Sequence, residues 1–170
     1  MPVNQWRRSE FISDPQPKPI PGRMTPNLNL FLDACIDLGL DPSAWIYAED
    51  HGHRLTWPAA SGKLGPIVVH EDGDEFIVDV GTIHHTHFRG FQYPATTDVL
   101  KAAIDAARFV LALMSDGVCV TVDYLDGRCI GSSHFFLDSE NLTPDTIGNS
   151  PVGVRGGNIH TERFLWSGPV

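Results

Sequence analysis

Positive charge, cysteine and long apolar runs are all scarce in this chain of 170 residues. No apolar run approaches the roughly 20 residues that a membrane-spanning helix needs. The first residues, MPVNQWRRSEF, carry two arginines without an apolar stretch behind them, which argues against a secretory leader. Cysteine occurs three times, at Cys35, Cys119 and Cys129, an odd number without C-x-x-C spacing. Each stands in an apolar setting, where a free thiol acts as a small hydrophobe, so a reduced, cytoplasmic chain is expected. Lys and Arg number 12 against 21 Asp and Glu, a formal net charge of −9. A phosphate backbone repels such a surface, so neither nucleic acid nor membrane is expected as a partner. A basic protein would instead be drawn to it, mainly through faster encounter.

Proline is unevenly placed. Six of the thirteen prolines fall within residues 1–26, in a stretch ending DPQPKPIPGRMTP. Proline removes a backbone donor and fixes φ, so this segment cannot form a regular helix or an inner strand. An extended arm over 1–26 is expected, then a single domain over 27–170. The arm holds four basic and two acidic side chains, net +2, which leaves −11 on the domain.

Helical spacing recurs twice. Leu28, Phe31, Leu32, Cys35 and Ile36 mark a first helix, with Thr25 to cap it, Pro26 in its first turn and Gly39 to stop it. A second lies within TTDVLKAAIDAARFVLALMSDG, with a cap at Thr96 or Thr97 and a stop at Gly117. It is apolar nearly all round, so it must be buried on more than one side, against the first helix or a second copy of the chain. Short strands are expected at 44–48 and 54–57 around EDHGH, at 66–70 and 75–80 around EDGD, and less regularly at 87–93. Asp72-Gly73 and Asp126-Gly127 signal hairpin turns. Val118, Val120 and Val122 alternate with Cys119, Thr121 and Asp123, as a sheet with one covered face demands. HTERFLW reads as an edge strand. This order gives an α+β fold, a mostly antiparallel sheet of hairpins with two main helices packed on it.

The stretch GTIHHTHFRG places three histidines, His84, His85 and His87, within four positions. His85 and His87 are two apart, so on a strand they share a face, the geometry of a His-x-His metal pair. Zinc or iron would need a third ligand, from His70, Asp79, His134 or Glu162. The motif resembles the first half of a cupin signature, but Arg89-Gly90-Phe91-Gln92 fills the place of the glutamate such a site uses. No cofactor is therefore expected, with zinc or iron at His85 and His87 as the alternative. Ser132 and Ser133 adjoin His134, but neighbours on a strand face opposite sides, so no nucleophile–base contact follows from their adjacency. Glu71, Asp72, Asp74 and Glu75 crowd one hairpin tip without the spacing of an EF-hand. They form a candidate contact surface for a basic partner, with Asp123 and Asp126 second, reinforced by Glu49 and Asp50 where these tips share a sheet end. Trp45, Trp57, Tyr93 and Trp166 are candidate aromatic anchors for it.

In size, acidity, sheet-plus-helix layout and missing catalytic set, the chain resembles the immunity proteins that bacteria carry beside polymorphic or contact-dependent toxins. The resemblance implies a protein that binds a cognate toxin domain, often a basic nuclease, and blocks its active site. The alternative is a metal- or histidine-dependent enzyme built on His84, His85 and His87. A third reading is a homodimer that associates through the second helix.

Overall fold

The computed structural model describes residues 24–50, 52–60, 64–89, 91–92, 96–137 and 158–169. Most of the proline-rich arm, Tyr93 and the Gly-, Pro- and Asn-rich stretch 138–157 lie outside the described residues. Helix α1 spans Pro26–Asp37, and the Thr25 hydroxyl caps it by accepting from the Leu28 N–H. Gly39 follows the helix with φ 83°, a left-handed conformation that glycine adopts without strain. Met24 packs against the core just before the helix.

Helix α2 spans Val99–Met114 and is capped by Asp98, not by either threonine. The Asp98 carboxylate accepts from the Lys101 N–H at 3.0 Å, where its charge also suits the positive end of the helix. Thr96 and Thr97 instead form a short strand, β7, which pairs with β6 (Phe91–Gln92).

The remaining strands make two antiparallel sheets. The first holds β1 (Ile46–Ala48), β2 (Arg54–Trp57), β3 (Ile67–Asp72), β4 (Glu75–Val80) and β5 (His84–Phe88), in that order. The second contains β8 (Val118–Leu125), β9 (Arg128–Phe136), β10 (Ile159–Leu165) and β11 (Gly168–Pro169), in the order β11-β10-β8-β9. The α+β fold expected from the sequence is present, with its hairpins shared between two sheets.

Pleating sorts the first sheet. Phe76, Val78 and Val80 point to the helices and are buried with Leu28, Phe31 and Cys35 of α1. α2 crosses β4, β5 and β8 with α1 beside it, and its small residues Ala102, Ala103, Ala106 and Ala107 are fully buried. Most of the apolar surface of α2 is thus covered by α1 on one flank and both sheets beneath, while Leu100 stays 52% exposed. Phe31, Trp45, Phe76 and Phe109 are the largest fully buried side chains, each contributing about 1.5–3 kcal/mol by leaving water. Two of the candidate anchors belong to this core, since Trp45 is 2% and Trp166 6% exposed. Trp57 is half-buried and packs edge-on to Trp45 at 5.4 Å between ring centroids.

Strand β8 departs from simple alternation. Cys119 and Thr121 are buried as well as the three valines, because β8 is the inner strand with β9 and β10 on either side. Ser133 and Arg163 stand directly opposite Thr121 on those neighbours and close over it.

The turns set the ends of these strands. Asp126 and Gly127 both take positive φ, at 49° and 79°, as a two-residue hairpin turn of this twist requires. At the other tip the central residues are Gly73 and Asp74, one position later than the Asp-Gly pair the sequence pointed to, with φ 61° at Gly73. Between β4 and β5 the chain passes so close to Leu64 that a Cβ on Gly81 would lie 1.8 Å from the Leu64 carbonyl oxygen.

Candidate functional site

The turn at 81–83 gives the histidines a strand of their own, β5, which ends at Phe88. The expected strand over 87–93 is replaced by β5 and the two residues of β6. Alternation along β5 then divides the trio. His84 lies opposite Val80 on the helix side, while His85 and His87 lie opposite Asp79 and Ile77 on the outer face.

The outer pair has the side-by-side placement that its spacing implied, with ring centroids 5.4 Å apart. His87 Nδ1 bonds one oxygen of Glu75, and the Arg89 guanidinium donates to the other. The His87 bond first, and Arg89 after it, hold the Glu75 carboxyl below the usual range although burial opposes them. Asp79, directly across from His85, also lies 3.4 Å from His70. Among the described residues, no group of three or more His, Cys, Asp or Glu side chains could hold a metal ion.

His84 has a different setting. It is 7% exposed and reaches from the edge of the first sheet to the edge of the second. Its Nδ1 lies 3.0 Å from Ser132 Oγ, and its Nε2 lies 2.9 Å from His134 Nδ1. His134 is in turn packed edge-on against Phe109, with 4.8 Å between ring centroids. Burial, with repulsion from His134 and then His85 adding to it, pushes His84 down to about 4. Burial lowers His134 as well, so a hydrogen bond between two neutral rings joins the sheets at pH 7. Beside the junction is a cavity of about 440 Å³, lined by residues including Asp79, Thr82, Ile83, His85, Gly131 and Ser132.

The acidic tips do not converge. The cavity brings the 81–83 turn next to Cys129 and Gly131, so the 126–127 tip sits at that end of β4. The 73–74 tip is at the opposite end of β4. Asp123 accepts from Thr161 Oγ1 at 2.6 Å, and the Asp126 carboxylate accepts from the Asn158 N–H at 3.2 Å. Both carboxylates therefore help to hold β10 and its approach in place.

At the 73–74 end, Glu75 is engaged with His87 and Arg89, and Glu71 accepts from the Thr25 hydroxyl at 2.8 Å. Asn27 donates to the Gly73 carbonyl at 3.2 Å, so the start of α1 braces this tip. Asp72 and Asp74 are exposed. The β1–β2 hairpin turns at the same end, since Arg54 pairs with Ala48 on one side and His70 on the other. Exposed Glu49 and Asp50 lie there, the latter held by two bonds from the Arg54 guanidinium.

The cysteines divide by burial. Burial pushes the Cys35 thiol up to about 12 and also raises Cys119, whereas Cys129 is exposed on β9. The link from His84 to Ser132 and His134 was not visible from the sequence, because it spans 48 and 50 positions. The local signal was that Ser132 and His134, two apart, share one face of a strand. The chain has no significant match among family models, curated proteins or solved structures. No helix among the described residues is long and apolar enough to cross a membrane.

Proposed function

We propose that this chain is an acidic binding protein of the bacterial immunity type, which holds a basic toxin domain and blocks its active site. The observation that carries the reading is one braced sheet end where exposed Asp72 and Asp74 stand beside exposed Glu49 and Asp50. Thr25 and Asn27 tie this end to α1, so the carboxylates are presented on a rigid frame, and little ordering cost remains for binding. The formal net charge of −9 adds long-range attraction for a basic partner.

Glu71 and Glu75 support this end from behind, and Asp123 and Asp126 are left out of it. Asp72 and Asp74 are the residues that would touch the partner. The test is co-expression with candidate basic toxin domains, scored by growth. Wild-type chain should restore growth, and Asp72→Lys with Asp74→Lys should remove that protection while the purified variant melts as the wild type does. Full protection by the double variant would remove this sheet end from the binding surface.

A further inference from the structure

A serine hydroxyl becomes a nucleophile when a neighbouring base takes its proton, and the base works best when a third group fixes its ring. The junction between β5 and β9 has these three parts. Ser132 Oγ is 3.0 Å from His84 Nδ1, and His84 Nε2 is 2.9 Å from His134 Nδ1. Ser132 is an exposed residue and its bonding partner His84 is buried, and both line the cavity through which a substrate would arrive from solvent. Phe109 and Phe136 both pack edge-on against His134 and limit its rotation.

The surroundings are consistent with a reacting site. The cavity of about 440 Å³ opens on Ser132 and His84, a volume within the usual range for small ligands. Strand β9 is bulged beside it, because Tyr124 pairs with Cys129 and Asp123 with Gly131, which leaves Ile130 without an opposite residue. A bulge re-aims neighbouring side chains and frees backbone groups from the ladder, as sites built on strand edges require.

We propose that Ser132 is the nucleophile and His84 the general base of an acyl-transfer site, with His134 as the positioning residue. The relay uses the tautomer in which Ser132 donates to His84 Nδ1 and the His84 Nε2–H donates to His134 Nδ1. Ser132 Oγ attacks the carbonyl carbon of an ester as its proton passes to His84 Nδ1. The tetrahedral adduct collapses, the bond to the leaving oxygen breaks, and that oxygen takes the proton from His84. Water then attacks the acyl-serine, gives a proton to His84, and Ser132 recovers it as the acid departs.

The substrate class follows from the lining and from the base. Asp79 in the wall and the net charge of −9 disfavour anions, so neutral or cationic esters fit. A deeply buried imidazole is a weak base, which restricts the reaction to esters with good leaving groups. The site lies at the far end of β4 from Asp72 and Asp74, and it stands or falls independently of the toxin-binding reading.

The experiment is labelling of the full chain with a fluorophosphonate, located by peptide mass mapping, beside hydrolysis of p-nitrophenyl acetate. One adduct at Ser132 is expected, absent in Ser132→Ala and retained in Ser133→Ala. His84→Gln should slow labelling by about 100-fold, the usual contribution of a general base. His134→Phe keeps an aromatic ring beside Phe109 but removes the acceptor. It should lower kcat for p-nitrophenyl acetate with KM unchanged, and His134→Asn should restore part of it. Ser132 is exposed, so the wild type and Ser132→Ala provide a folded pair even where His84→Gln is unstable. Absence of an adduct at Ser132 in folded wild-type protein would overturn the proposal. So would labelling at an unchanged rate in folded His84→Gln, which would mark Ser132 as an ordinary surface hydroxyl.

Discussion

His84 and His85 are neighbours in the chain and have opposite surroundings. One is 7% exposed and ties two sheets together, and the other lies exposed on the outer face opposite Asp79. The same side chain is used in one place as a buried neutral connector and in the other as a surface polar group. The β-strand period of two makes that division, because consecutive residues must face opposite ways. Three histidines in four positions are therefore two sites, and the chemistry of each comes from the face it occupies.

The comparison can be broken from either side. The largest effect is expected from Phe109→Ala, because Phe109 contacts His134, Phe88 and Phe136 behind the junction. It should cost about 3–5 kcal/mol of unfolding free energy, measured by chemical denaturation. A loss below about 1 kcal/mol would mean that the junction is loosely packed.

Acid is the next lever. His84 and His134 have folded pKa values below the ordinary 6.5, so the unfolded chain binds protons first as the pH falls. The contribution of His84 should accordingly be lost between about pH 6.5 and about pH 4, a total of about 3 kcal/mol. Glu75 acts in the same direction, since a lowered carboxyl contributes stability that is lost as the pH falls through its folded value. His84→Gln should flatten the curve between those limits. An unchanged curve in that variant would place the acid sensitivity elsewhere.

On the outer face, Glu75→Gln removes the charge that His87 and Arg89 share and should cost about 2 kcal/mol. The smallest effect is expected for His85→Ala, within about 0.5 kcal/mol, because its side chain is exposed. A loss at His85 as large as that at Phe109 would erase the distinction between the two faces.

Local features were legible in the sequence. Thr25 and Pro26 start α1, Gly39 follows it, and Asp126-Gly127 turns β8 into β9, each acting through its own backbone and nearest neighbours. The apolar girth of α2 correctly implied cover on several sides. What failed involved contacts between distant segments. Thr96 and Thr97 were taken from α2 by pairing with β6, and Cys119 and Thr121 were covered by neighbours that no periodicity reveals. Trp45 and Trp166 went into the core, where a large aromatic gains most from leaving water. The acidic residues were visible, but which of them are engaged within the fold depended on partners such as Thr25, His87, Thr161 and Asn158.

The most direct test of the proposed binding role is the affinity for a basic toxin domain, the partner proposed above, measured by calorimetry at low and at physiological salt. Wild-type affinity should fall steeply as salt rises, because exposed carboxylates supply much of the attraction. Asp72→Lys with Asp74→Lys should bind at least about 100-fold more weakly at low salt and lose most of that salt dependence. Equal affinity and equal salt dependence in the two proteins would contradict the assignment of this sheet end as the binding surface.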